Sequence, residues 1–171
     1  MRLFTDYAAW LQKEYAAFQS DPTCVEIGPL LRPTVAPNSP PWNMDWAIKF
    51  PDHHYAYVYE RWYASGPALP GRSRFGYREH FSFHYGPTNS ILKANGIPER
   101  DKVVCPAIIR VDCDKHGPHL HFHGEADHID QAKIEGMVIQ DADPFTFMRA
   151  VLEHRAKGTD FDSILNFKVK P

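Results

Sequence analysis

Apolar positions follow two different periods along this chain. Near the start, Phe4, Tyr7, Ala8, Leu11, Tyr15 and Phe18 recur at spacings of three and four. That pattern predicts a helix over 3–19 with one apolar stripe. Thr5 or Asp6 is placed to cap it, and Asp21-Pro22 follows its end. From Trp46 the period becomes two. Trp46, Ile48 and Phe50 alternate with Ala47 and Lys49 as a short first strand. The stretch from Tyr55 to Tyr63 is aromatic and branched, as strands are. Ala56, Val58 and Trp62 share one of its faces, and Tyr55, Tyr57, Tyr59 and Arg61 the other. A third strand runs over 75–85, with Phe81, Phe83 and Tyr85 opposed to His80, Ser82 and His84. A fourth covers 107–113, with Ile109 and Val111 opposed to Arg110 and Asp112. A fifth, His119 to His123, turns Leu120 and Phe122 to its apolar side. Residues 134–139 read as a further short strand. Asp143-Pro144 then starts a helix to about residue 157, with Phe145, Met148, Val151 and Leu152 as its stripe and Gly158 as its stop. A last short element falls within 160–167.

The connections are rich in proline. Gly28, Pro29, Pro33, Pro37, Pro40 and Pro41 punctuate 28–44, which predicts an irregular connection there. The piece before it is too small to fold alone, so the connection joins parts of one domain, 1–171, whose sheet spans 45–124. The expected class is α+β: an N-terminal helix, an antiparallel meander of about five strands, and a C-terminal helix packed on one face.

Composition narrows the function classes. With 43% apolar residues the chain can bury a core, and no apolar run approaches the roughly 18 residues of a membrane span. The 19 basic and 21 acidic residues exclude a polybasic mode of nucleic-acid binding but not a local basic patch. Met1 to Tyr7 lacks the apolar stretch of a signal peptide. Cys24, Cys105 and Cys113 are odd in number and match no zinc spacing, so the expected setting is a reducing one, the cytoplasm.

The 10 histidines carry the chemistry. If Asp114-Lys115-His116-Gly117 is a hairpin loop, Cys113 opposes Pro118, Asp112 opposes His119, Val111 opposes Leu120, Arg110 opposes His121 and Ile109 opposes Phe122. Every apolar residue then meets an apolar partner and every polar one a polar partner, and a slip of one residue destroys the match. Arg110, Asp112, His119, His121 and His123 fall on one face. If the third strand lies beside this hairpin, His80, Ser82 and His84 join them.

Such a face has three readings. As a metal site, it offers His119, His121 and Asp112, with His84 as a further ligand, for Zn or non-haem Fe. A His-x-His pair spans about 7 Å of strand, whereas His119 and His123 are about 13 Å apart, too far to share an ion comfortably. As a cofactor-free acid–base site, two imidazoles serve as general base and acid and Arg110 stabilises a pentavalent phosphate, with Asp112 fixing the tautomer of His119. That is the equipment of a metal-independent ribonuclease. Tyr55, Tyr57 and Tyr59 would stack unpaired bases, and Arg72, Arg74 and Arg78 would contact phosphates. The third reading is a solvated sheet face, or a surface for a protein partner in a non-catalytic interaction module. His53, His54, His116, His128 and His154 are expected in surface or capping roles. Cys113 lies on the face away from Asp112 and is not expected to be a nucleophile.

Two stretches carry a family resemblance. His80-Phe81-Ser82-Phe83-His84-Tyr85 resembles the aromatic-Ser-aromatic-His strand of the TumE-type toxins. Ile109-Arg110-Val111-Asp112, followed by Pro118-His119-Leu120-His121-Phe122-His123-Gly124-Glu125, resembles their Arg-x-Asp and His-rich hairpin. The similar region covers about residues 75–128. The resemblance implies a small α+β toxin of a toxin–antitoxin pair that acts on RNA or translation, with a cognate antitoxin as partner. Of the candidate catalytic residues His80, His84, Arg110, Asp112, His119, His121 and His123, it picks out His84, Arg110, Asp112, His119 and His121.

Overall fold

The computed structural model describes residues 41–50, 52, 54–65, 75–87, 108–122 and 128–170, with positions 2–3, 9–10, 13–14, 16–17 and 20. An antiparallel sheet accounts for about half of these residues. β1 is Arg2–Leu3, β2 Trp42–Lys49, β3 His54–Ser65, β4 Phe75–Pro87, β5 Ile109–Asp114, β6 Gly117–Phe122 and β7 Ile129–Asp130. The seven strands run β2-β3-β4-β5-β6-β7, with β1 paired to β4. A small second ladder joins β8 (Ile134–Glu135) to β9 (Lys168–Val169). Two helices follow, α1 (Pro144–Lys157) and α2 (Phe161–Ile164). The class is α+β, as the alternation predicts. Among the described residues no helix is long and apolar enough to cross a membrane.

The meander forms because each strand offers one apolar face. Ala56, Val58, Phe81, Phe83, Ile109, Val111 and Leu120 are buried on the same side. α1 packs over β3 and β4 and adds Phe145, Phe147, Met148, Ala150 and Val151 to the core. Its start is fixed as the sequence predicts. The Asp143 carboxylate accepts from the backbone N–H of Phe145 and Thr146, at 3.0 Å each, and Pro144 takes the first position. Gly158 ends it at φ 70°, a left-handed turn that Gly adopts without the Cβ penalty.

The hairpin register is the one read from alternation. Ile109 pairs with Phe122, Arg110 with His121, Val111 with Leu120, Asp112 with His119 and Cys113 with Pro118. Asp114 also pairs with Gly117, so the turn itself is only Lys115-His116, and Gly117 takes φ 89° to close it.

Several boundaries differ from expectation. Leu3 is in a strand rather than at a helix start, and most of 3–19 lies outside the described residues. The proline-rich connection ends earlier than residue 44, because Trp42–Met44 already pair with Glu60–Trp62. The expected strand 134–139 stops at Glu135. Gly136 turns the chain at φ 90° where it passes Asn166, and a 3-10 turn follows at Ile139–Asp141.

One irregularity in β4 has a functional bearing. Arg61 pairs with His80, but Trp62 pairs with Arg78, so Glu79 is an unmatched residue in a β-bulge. The extra residue reverses the face of Arg78. Its guanidinium lies 4.0 Å from the Phe81 ring centroid on the core side, pairs with buried Glu60 at 2.7 Å and donates to the Gln140 carbonyl at 2.7 Å. Arg78 is therefore not a phosphate contact on the histidine face. Arg72 and Arg74 lie outside the described residues.

Candidate functional site

The open question of strand order resolves in favour of one shared face. β4 pairs with β5, setting Ser82 opposite Asp112 and His84 opposite Arg110. Combined with the flanking ladders, this makes two cross-strand rows. One is Tyr57, His84, Arg110 and His121; the other is Tyr59, Ser82, Asp112, His119 and Asp130. Leu120 pairs with Ile129, so His128 falls next to His121 and completes the first row. His80 sits opposite Arg61 at the edge of this array and pairs with its neighbour Glu79 at 3.2 Å. It is on the predicted face but not among the clustered groups. His123 lies outside the described residues.

Four of the candidate groups, His84, Asp112, His119 and His121, are buried. The Arg110 side chain bridges the rows. Its Nε donates to Asp112 Oδ2, and its Nη2 donates to His121 Nε2 at 2.9 Å. His119 is oriented from the turn: Nδ1 donates to the Gly117 carbonyl at 2.9 Å, which leaves Nε2 facing Asp112 Oδ2 at 3.5 Å. His84 stacks on Tyr55 with ring centroids 5.2 Å apart. His84 Nε2, His119 Nε2 and Asp112 Oδ1 are buried and make no well-formed hydrogen bond. Orphaned polar atoms are uncommon in a folded interior, and three at one site call for an explanation.

Electrostatics separates the imidazoles. Burial is the first cause that holds His84 and His121 down to about 4, and the Arg110 charge adds to it in both. Both rings are neutral at pH 7. His119 is shifted the other way, chiefly by the Asp112 carboxylate at its Nε2. Burial alone raises the Asp112 carboxyl, but His119, the Arg110 charge and Ser82 outweigh it and hold the group below the usual carboxylate range.

The face contains a group that the sequence reading left aside. His119, His121 and His128 can each bring one ring nitrogen within 4.8 Å of the other two. Their ring centroids are 5.2 Å apart for His119–His121, 4.4 Å for His119–His128 and 4.6 Å for His121–His128. His128 is exposed, so it closes the group on the solvent side. His128 was expected in a surface or capping role. The signal that marks it is the polar-apolar-polar triplet His128-Ile129-Asp130, which mirrors His119-Leu120-His121 across β6 and β7.

Two other histidines keep structural roles. His154 stacks on Phe161 at 4.5 Å, and its Nδ1 donates to the Thr159 carbonyl at 2.9 Å. His54 lies 3.3 Å from Asp52 in the turn before β3. Cys113 is buried, 3.4 Å from Gln140 Oε1, and burial pushes its thiol up, which suits no nucleophile. Comparison of the chain with family models, with curated proteins and with solved structures returns no match.

Proposed function

We propose that His119, His121 and His128 bind a divalent metal ion, and that the chain is a metal-dependent hydrolase whose substrate is RNA. The observation that carries this is the trio of ring nitrogens within 4.8 Å of one another. Zinc at about 2.0–2.1 Å from each imidazole sets ligand nitrogens about 3.4 Å apart, so small side-chain rotations close the site. The hydrogen bond from His119 Nδ1 to the Gly117 carbonyl is the outer-shell support that metal-ligating imidazoles usually have, and it leaves Nε2 for the ion. A cation there would also answer the orphaned His119 Nε2 and Asp112 Oδ1. Three nitrogen ligands leave a position for water, whose pKa a zinc ion lowers to about 7.

Burial favours this over metal-free acid–base chemistry. His84 and His119 would have to touch substrate in that scheme, yet they are 3% and 1% exposed. A metal ion projects the chemistry outward past buried ligands. RNA as substrate is supported by the half-buried tyrosines Tyr55, Tyr57 and Tyr59, which share the face, and by the resemblance of residues 75–128 to TumE-type toxins. The same resemblance supports a toxin–antitoxin setting with a cognate antitoxin partner.

The test is elemental analysis of untagged protein, followed by cleavage of single-stranded RNA with and without chelator. About one equivalent of zinc or iron is expected, with affinity falling by more than roughly 100-fold in His128→Ala. Cleavage should stop with chelator and return with metal. Less than about a tenth of an equivalent, in protein also given added zinc, would overturn the proposal.

A further inference from the structure

The contact between Arg110 and His121 bears directly on how this centre loads. Arg110 Nη2 and His121 Nε2 are 2.9 Å apart. A guanidinium has only donors, so His121 Nε2 accepts. A neutral imidazole has a single ring lone pair. With that pair engaged at Nε2, the ring proton is on Nδ1, and neither nitrogen is free to ligate a cation. This holds whichever nitrogen of His121 faces the ion.

The same guanidinium bonds to Asp112 Oδ2 through Nε. That oxygen lies 3.5 Å from His119 Nε2 and 3.9 Å from His121 Nε2. One positive group thus engages a ligand imidazole and the carboxylate nearest the centre. We infer that Arg110 is an internal cation that competes with the metal, and that it withdraws from His121 when the three-histidine centre fills. The Arg110 side chain is 12% exposed, which gives it an exit toward solvent on the same face. Arg110 then sets the affinity of the centre without being a ligand. Its removal also frees Asp112 to become a fourth ligand.

This inference rests on the metal reading, and the experiment separates the two. Zinc affinity is measured on chelator-treated protein by competition with a chromophoric chelator, for the unaltered chain, Arg110→Met and Arg110→Lys. A charge-assisted hydrogen bond lost to the metal predicts binding roughly 10- to 100-fold tighter in Arg110→Met. Arg110→Lys, which keeps the charge but not the fork, should fall between. Nitrogen NMR of the unaltered protein gives a readout that needs no variant. His121 should carry its proton on Nδ1 without metal, and zinc should move the His121 ring and Arg110 Nε–H signals together. Equal zinc affinity in folded Arg110→Met and the unaltered chain overturns the competition alone. So does a His121 proton on Nε2, or an Arg110 signal that ignores zinc. Absence of zinc binding in every variant overturns the metal reading and the competition with it.

Discussion

Acidifying the metal-free protein should expose the strain of burying neutral imidazoles. His84 and His121 are held at about 4, against 6.5 for an exposed ring, first by burial and then by Arg110. In the unfolded chain both rings take up protons near 6.5; in the folded protein they resist until about 4. The unfolded state therefore binds more protons throughout that window, so stability falls as pH falls through it. A displacement from 6.5 to about 4 is equivalent to about 3 kcal/mol for each ring, on the order of 6 kcal/mol for both. That is comparable to the whole stability of many domains. His119 acts in the opposite sense. Its raised value, due chiefly to Asp112, contributes stability that is complete below 6.5 and is lost as pH rises through its folded value. Stability should therefore peak close to neutrality. The assay is urea unfolding in chelator at a series of pH values, followed by tryptophan fluorescence, with Trp62 buried in the core as a reporter. His84→Gln should remove about half of the acid-side loss. A flat profile between about pH 6.5 and 4.5, or an unchanged slope in His84→Gln, would refute the assignment of these rings as buried and neutral.

Two further substitutions test the scaffold. Glu60→Ala leaves the Arg78 guanidinium without its 2.7 Å partner on the core side and should cost about 3–5 kcal/mol in urea unfolding. A loss below about 1 kcal/mol would mean that Arg78 finds water or another acceptor. Asp143→Ala removes the cap from the Phe145 and Thr146 N–H groups and should cost about 1 kcal/mol, read as a shift in the urea midpoint with an unchanged slope.

The hairpin was legible because two independent cues agree on it. Loop residues at 114–117 set its centre, and alternation on both sides fixes its phase. Arg110, Asp112, His119 and His121 all reach one face through that logic. The neighbour relation between β4 and β5 was not legible. Residues 88–107 connect them with no dominant period, and only the ladder itself pairs Ser82 with Asp112. His128 was hidden for a different reason. It precedes β7, a strand only two residues long, too short for periodicity, which takes its register entirely from β6. Arg78 went to the wrong face because alternation assumes a regular strand, and a one-residue bulge leaves no compositional trace. Most of the expected N-terminal helix over 3–19, and His123, lie outside the described residues.

The unmatched Glu79 also divides β4 into segments with different tolerance for a change in length. Across 80–87 and 109–122, faces are locked from strand to strand by direct pairing and by the tight turn at Lys115-His116. Adding or deleting one residue within any of those strands would turn its polar face into the core and its apolar face out. At Glu79 the sheet already carries one residue without a partner. Removing that residue would leave a regular strand in which Arg78 still pairs with Trp62 on the core side, so the rows that hold the site keep their faces.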